Sequence, residues 1–358
     1  MAKHEEISRW LREKITDGTF AIGDKIPSEN ELAAQFGYSR QTVRQAIGSL
    51  EAAGILTRTQ GSGTYVCRKT EQQPRNATMR IGVITTYLDD YIFPGIIHGI
   101  EEVLSENHYT MSLGITHNRQ MDEENALRQM LANGIDGLIV EGTKTALPNV
   151  NEQLYQEISD RGIPIVFLNG FSKGCMESYV VMDDVRAGEI SAEALISKGH
   201  TKIGGIFKAD DQQGLSRYEG LLHKVREHGL MLADNSILWY TTEDLPYLFN
   251  GSFDEMILDR FQNVTGLVCY NDQIAASLIR LFQRHQMSIP ETYSMVSFDN
   301  SRLAGKVSCD LTSVIYPSQE IGHMAAELML KKISDPACRE SITLQPELKL
   351  RNSVRAIG

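Results

Sequence analysis

The apolar positions of residues 1–66 fall into short stripes separated by polar breaks. Ile7, Trp10, Leu11 and Ile15 recur at helical spacing and predict a first helix, and Gly23-Asp24 breaks the chain ahead of Ile26-Pro27. Ser28-Glu29-Asn30-Glu31 is a capping-box pattern, in which the hydroxyl accepts from a first-turn amide and Glu31 reaches back. Leu32, Ala33 and Phe36 follow, so a second, short helix is predicted there. Ser39 is placed to cap a third helix with the stripe Val43, Ala46, Ile47 and Leu50, and Arg40 and Arg44 stand one turn apart on its opposite face. Gly48 inside that helix costs about 1 kcal/mol relative to Ala, which points to close packing against a neighbour. Past Gly54, β-rich runs at 55–59 and 64–66 flank Gln60-Gly61-Ser62-Gly63 and predict a hairpin.

From residue 80 onward the pattern changes. Apolar runs at 80–85, 109–115, 137–140, 163–168, 179–182, 202–207, 236–240, 266–270 and 294–298 alternate mostly with amphipathic stretches, such as 93–107, 121–133, 185–199, 213–229 and 272–287. That alternation predicts βαβ units and parallel sheets buried on both faces. So many strands exceed one comfortable sheet, so the body is expected to form two similar lobes. Between head and body, residues 68–78 are polar, hold a proline and show no apolar period, as a solvated linker does. The expected division is 1–67 as a winged-helix head, 68–78 as linker and 79–358 as body. Lobe one is expected to take about 79–169 and 316–340, and lobe two about 170–315 and 341–358.

Composition narrows the function classes. The 358 residues are 42% hydrophobic and 23% charged, close to the globular average, so disordered and collagenous classes fall away. No apolar run approaches the roughly 20 residues of a membrane-spanning helix, and the polar N-terminus lacks the apolar core of a secretory signal. Cys67, Cys175, Cys269, Cys309 and Cys338 are an odd, scattered set, which suits free thiols in a reducing compartment; the expectation is a cytoplasmic protein with no membrane partner. The net charge of −11 is uneven: residues 1–78 carry 11 Lys and Arg against 9 Asp and Glu, a net +2, which leaves −13 on the rest. Nucleic-acid binding by the head must therefore come from placed Arg side chains and not from bulk charge.

Three helices and a hairpin form a winged helix-turn-helix, whose last helix enters the major groove. Arg40 and Arg44 can donate to phosphates or bidentately to guanine, Gln41 and Thr42 add adaptable polar contacts, Gly61 and Gly63 let backbone approach closely, and Gln60 can reach a groove edge. An Arg pair on a helix face, taken alone, reads first as a solvated surface. However, residues 3–67 resemble the GntR-type winged-helix family through Ile26-Pro27-Ser28-Glu29-Asn30-Glu31-Leu32-Ala33, Tyr38-Ser39-Arg40-Gln41-Thr42-Val43-Arg44-Gln45-Ala46 and Gln60-Gly61-Ser62-Gly63-Thr64-Tyr65-Val66. The resemblance implies that Glu29, Arg40, Gln41, Thr42, Arg44, Gln60, Gly61, Ser62 and Gly63 face operator DNA.

In open α/β sheets ligands bind beyond the carboxyl ends of the strands. Those ends carry Asp89-Asp90-Tyr91-Ile92-Phe93, Glu141, Asn169, Asp183-Asp184, Lys208, Asn271-Asp272 and Asp299. Carboxylates, amides and aromatic plates suit a sugar, which presents donating and accepting hydroxyls and an apolar face. Capping is the competing role for Asp184 and Asp272, which stand just before predicted helices. Residues 79–355 resemble the LacI/GalR-type effector domain, related to periplasmic sugar-binding proteins, through Asp136-Gly137-Leu138-Ile139, Gly199-His200-Thr201-Lys202-Ile203-Gly204, Arg217-Tyr218-Glu219-Gly220, Tyr270-Asn271-Asp272-Gln273-Ile274-Ala275 and Leu311-Thr312-Ser313-Val314. This implies that Tyr91, Phe93, Asn169, Asp183, Arg217, Asn271, Asp299 and Tyr316 line an interlobe cleft, with Asp90, Glu141 and Lys208 as further candidates. The pairing of the two families resembles the arabinose-responsive repressors of bacilli, which implies a homodimer released from DNA by a small neutral sugar, L-arabinose. The hinge helix of LacI-type regulators is absent.

Two rivals remain open. A same-fold regulator of a purine or phosphosugar would want a basic cluster or Gly-rich helix start in the cleft, where mainly Arg217 and Lys208 are on offer. A sugar-acting enzyme would need a nucleophile, paired acids or a metal. No P-loop, HExxH, GxSxG or GxGxxG pattern occurs, and His98, His117, His200 and His323 lack a ligand spacing, so no catalytic residue, cofactor or metal is expected.

Overall fold

The computed structural model describes residues 3–52, 54–59, 62–66, 77–88, 92–171, 178–305 and 309–357. They form two units, Met1–Asn76 and Ala77–Gly358. Among the described residues no helix is long and apolar enough to cross a membrane.

The head contains α1 (Lys3–Thr16), α2 (Glu29–Phe36), α3 (Arg40–Ala52) and the hairpin of β1 (Leu56–Thr59) with β2 (Gly63–Val66). The capping box forms as its sequence requires: Ser28 N donates to Glu31 Oε2 at 2.7 Å and Glu31 N donates to Ser28 Oγ at 3.3 Å. Ser39 Oγ accepts from Thr42 N at 3.2 Å and starts α3. Ile7, Leu11, Leu32, Val43, Ile47, Leu50 and Val66 close one apolar core. The hairpin pairs Leu56 with Val66 through to Thr59 with Gly63, and Lys25 bridges Tyr65 on its free edge. Gly48 departs from expectation, because a Cβ built there meets nothing within 4 Å. Its helix cost is therefore not offset by close packing.

The body holds two six-stranded sheets. In the first, β3 (Arg80–Thr85), β4 (Thr110–Ile115), β5 (Gly137–Val140), β6 (Ile165–Leu168), β7 (Ser178–Met182) and β13 (Ile342–Leu344) stand in the order β13-β7-β6-β5-β3-β4, all parallel. Helices α4 (Phe93–Glu106), α5 (Gln120–Asn133), α6 (Glu152–Asp160) and α12 (Ser318–Ser334) belong with it. In the second, β8 (Ile203–Lys208), β9 (Ile237–Tyr240), β10 (Gly266–Cys269), β11 (Ser294–Asp299), β12 (Thr312–Ile315) and β14 (Glu347–Lys349) run β14-β12-β11-β10-β8-β9, with β14 antiparallel. With it belong α7 (Asp184–Ile196), α8 (Gln212–Glu227), α9 (Leu245–Leu248), α10 (Asp254–Phe261) and α11 (Asp272–Arg284). The inner strands are buried on both faces, as their unbroken apolar runs require.

The lobe boundaries differ from the sequence expectation at two strands. Ser178–Met182 and Ile342–Leu344, expected in lobe two, both pair in the sheet of lobe one. A short apolar run fits either sheet, and here β7 extends β6 while β13 covers its edge. The chain thus crosses between lobes three times: at Asp183, at Tyr316-Pro317 and at Gln345-Pro346. Helices α7 and α8 approach closely because Gly188 and Gly220 face each other; a Cβ at Gly188 would stand 2.1 Å from Arg217 O and one at Gly220 would stand 1.9 Å from Val185 O.

Candidate functional site

Both lobes have their strand-order reversal next to the first strand, β3 or β8, and both aim strand ends at a common cleft. There a cavity of about 320 Å³ opens between them. Lobe one contributes Thr86 and Tyr87 after β3, Ile92 and Phe93 at the start of α4, and Glu141 after β5. Lobe two contributes Lys208, Asp211, Gln213, Arg217, Tyr240, Thr242, Leu245, Tyr270, Asn271, Gln273, Ile274 and Asp299, and the crossing contributes Tyr316.

The lobe-one wall is built around Glu141. Its Oε2 accepts from Thr86 N at 2.8 Å and Thr86 Oγ1 at 2.6 Å, and its Oε1 accepts from Asn169 Nδ2 at 2.7 Å. Burial pushes the carboxyl up, against these hydrogen bonds. Asn169, in a left-handed conformation at φ 63°, accepts the Tyr316 hydroxyl on Oδ1. Tyr87 and Phe93, with ring centres 6.2 Å apart, add an aromatic surface.

Across the cleft stands Arg217, the largest fully buried side chain of the chain's described residues. Its Nε donates to Asp184 Oδ1 at 2.8 Å and its Nη1 to Tyr270 O at 2.7 Å, while its guanidinium lies 4.4 Å from the Phe298 ring centre. Burial opposes its charge, but Asp184 and Asp299 hold it firmly protonated. Lys208 Nζ lies 3.5 Å from Asp211 Oδ2 and 3.8 Å from Asp210 Oδ1; burial opposes this charge too, and the two carboxylates outweigh it. The Tyr270 hydroxyl donates to Asp211 Oδ2 at 2.7 Å. The cavity thus presents fixed acceptors, fixed cationic donors and aromatic faces together.

Of the expected cleft residues, Phe93, Glu141, Lys208, Arg217, Asn271, Asp299 and Tyr316 line this cavity, and Asn169 supports it from behind. Asp183 does not. It occupies a crossing, where its carboxylate accepts from Arg186 N at 2.9 Å and caps α7, and the next residue, Asp184, takes the buried ion pair instead. Helix capping likewise belongs to Asn271, which accepts from Ile274 N at 3.0 Å, and not to Asp272, which is buried and accepts from Ser301 and Ser313. Asp90 and Tyr91 lie outside the described residues. Sequence reading passed over Thr86, Tyr87, Asp211, Gln213, Tyr240, Thr242 and Tyr270. All but Gln213, which sits in the first turn of α8, lie within three residues of a strand end, a signal that Tyr240 and Tyr270 concealed by reading as strand apolars.

In the head, Arg40, Gln41 and Arg44 are exposed on α3, whereas Thr42 turns its hydroxyl to Ser39. Glu29 is an organising carboxylate: its Oε2 accepts from Arg44 Nη2 and its Oε1 from Arg58 Nη2, each at 2.9 Å. These bonds hold the Glu29 carboxyl below its ordinary range. Arg58, on β1, thereby joins the third helix to the wing and was not anticipated. Ser62 is exposed and Gly63 has φ 137°; Gln60 and Gly61 lie outside the described residues.

Residues 3–66 match the bacterial regulatory proteins of the gntR family, and residues 192–354 match the periplasmic binding protein-like domain. The arabinose metabolism transcriptional repressor of Halalkalibacterium halodurans is 36% identical over 360 residues, covering 98% of this chain and 96% of the relative. That of Geobacillus stearothermophilus is 36% identical over 358 residues, covering 99% and 96%. The crystal structure of transcription regulator CcpA of Lactococcus lactis superimposes with a TM-score of 0.68 at 22% identity, covering 77% of this chain and 99% of that one, which speaks for the body's fold alone.

Proposed function

The chain belongs to the family of the arabinose metabolism transcriptional repressors, sugar-responsive regulators with a gntR-type head, and from that premise we propose that L-arabinose is its effector. The repressor works in the cytoplasm as a homodimer whose two heads, residues 1–67, occupy half-sites of a near-palindromic operator. The sugar enters the cleft of the body, residues 79–358, and is bound without being transformed. Glu29, Arg40, Gln41, Thr42, Arg44 and the wing at residues 60–63 contact DNA, joined by Arg58.

One observation carries the choice of effector: the cavity walls hold more carboxylates than cations. Among the described residues, Glu141, Asp211, Asp299 and the adjoining Asp184 face only Lys208 and Arg217, and both cations are already engaged by carboxylates. A phosphorylated sugar would add anionic charge to that surplus, whereas a neutral polyol satisfies acceptors and donors at no electrostatic cost. The volume also favours a monosaccharide. Sugar closure loosens DNA only if the sugar prefers the weak-binding conformer, and a tenfold effect needs about 1.4 kcal/mol of that preference. The test is calorimetry of the full chain against neutral and phosphorylated sugars, with and without operator DNA. Saturable L-arabinose binding that weakens with operator present, by the factor by which sugar weakens operator binding, is the expected result. Unaltered operator affinity across the panel overturns the proposal, as does NMR detection of a turned-over sugar.

A further inference from the structure

Beside the cavity, a second set of contacts joins the lobes directly. From lobe one come the loops after β4 and β5, bearing Asn118 and Lys144; from lobe two come the segments after β8 and β9, bearing Asp210 and Glu243. Lys144 Nζ reaches Asp210 Oδ2 at 3.0 Å and both Glu243 oxygens at 2.8 Å. Asn118 Nδ2 donates to Thr242 Oγ1 at 2.6 Å and to Asp210 Oδ2 at 3.3 Å. The two lobe-one loops are tied together, since Lys144 N donates to Asn118 Oδ1 at 2.8 Å. A further bond crosses the cleft from Gln212 N to Thr145 Oγ1 at 2.9 Å.

Three features mark this cluster as more than surface pairing. Asp210 is 1% exposed, so its charge is not held by solvent and depends on Lys144 and Asn118 from the opposite lobe, besides Lys208 and Thr242 N from its own. Asn118 and Lys144 are both in left-handed backbone conformations, at φ 55° and 47°, a cost tolerated only where surrounding contacts fix it. Neither residue lines the main cavity; both line a side pocket of about 10 Å³ next to it, room for a water and not for a sugar. The bonds of Lys144, Asn118 and Thr145 to lobe two exist only when the lobes are together.

We propose that Lys144 and Asn118 form a ligand-independent latch that sets the sugar-free population of closed clefts and, through it, the sugar concentration at which the repressor responds. The first half stands on the interlobe contacts alone; the second rests on the cleft's reading as the sugar site. A ligand that needs the closed cleft binds with an apparent dissociation constant equal to the intrinsic one divided by the closed fraction. Lys144 is thus a positioning residue acting on affinity from outside the pocket.

The test compares the full-length wild type with Lys144→Met, Lys144→Arg and the exposed-site variant Glu243→Gln. Hydrogen exchange at the Gln212 amide reads closure without sugar, because its acceptor Thr145 sits on the other lobe. Lys144→Met should speed that exchange by about tenfold and raise the L-arabinose dissociation constant by a similar factor. Glu243→Gln should do the same more weakly, and Lys144→Arg should restore most of the protection. Unchanged exchange at Gln212 together with unchanged sugar affinity in Lys144→Met overturns the latch. Should the wild type bind no L-arabinose while Lys144→Met still speeds the exchange, the latch stands and the effector assignment falls.

Discussion

Replacing Arg217 with Met tests the electrostatic design of the cleft, because the side chain is 2% exposed and neutralises two buried carboxylates. Methionine fills similar space along the Phe298 ring but supplies no charge, so Asp184, 2.8 Å from the guanidinium, and Asp299, 4.0 Å away, lose their counterion. Stranding a buried charge in this way costs about 3–5 kcal/mol, a large share of the roughly 5–15 kcal/mol that holds a domain together. The loss has a pH signature. Burial already pushes the Asp184 carboxyl up, and without Arg217 nothing comparable opposes it. A carboxyl whose folded value lies above its unfolded one destabilises at neutral pH and is relieved as protonation proceeds through the folded value toward the unfolded one. The deficit of Arg217→Met should therefore be largest at neutral pH and shrink in acid, and Asp184→Asn in the same chain should recover part of it. Urea unfolding followed by Trp239, which packs on Tyr218 at 5.0 Å between ring centres, measures this. Sugar binding should be lost in parallel. A wild-type urea midpoint at neutral pH, or a deficit that does not narrow in acid, would refute the reasoning.

The remaining predictions are more local. Arg44→Ala should weaken operator binding by about tenfold or more while sugar affinity stays constant, and equal operator affinity would remove α3 as the recognition helix. Arg58→Ala should act in the same direction, because it frees the wing from Glu29; a filter-binding assay across salt concentrations reports both. Gly48→Ala should stabilise the head by about 1 kcal/mol, since the helix gains propensity and the new methyl meets nothing; calorimetric melting checks it. His200, whose ring nitrogens lie 2.9 Å from Thr265 Oγ1 and 3.1 Å from Arg355 O, has its proton affinity lowered by burial. Its contribution should be intact above the ordinary histidine value, about 6.5, and drain away as pH falls through it toward the depressed folded value, so His200→Gln should flatten the melting temperature over that window.

Strand and helix positions were legible because a parallel sheet buried on both faces leaves unbroken apolar runs, and each of the nine expected strands of the body is present within two residues at either end. The strands Thr312–Ile315, Ile342–Leu344 and Glu347–Lys349 left no such trace, because they are short and mix polar residues into the pairing. The cleft was legible where chemistry sits on or directly after the last residue of a strand, as at Lys208, Asp299 and Glu141. It was not legible where one residue decides the outcome: Asp183 and Asp184 are neighbours of identical type, and only the start of α7 turns the first into a cap and the second into the partner of Arg217. Likewise Gly48 carries no sign in sequence of whether anything packs over it. Arg58 was missed because a wing arginine acquires meaning only when Glu29, 29 positions away, is seen to bind it.

The cleft's walls and its hinge are one hydrogen-bonded system. Tyr316 stands where the chain passes from β12 to α12, and its hydroxyl donates to Asn169, which in turn donates to Glu141 at 2.7 Å. At the first crossing Asp183 N donates to Leu344 O at 2.9 Å, so the strand leaving lobe one on one pass is fastened to the strand leaving on another. A hydroxyl that takes up a lone pair of Glu141 should therefore act on the Tyr316 crossing through a single side chain, Asn169. On the proposed reading of the cleft as the sugar site, ligand contact and lobe orientation would be joined by this short chain of side chains. What the sugar must supply is only the difference in free energy between the two lobe arrangements, and the rim contacts of Lys144 determine how large that difference is before any sugar arrives.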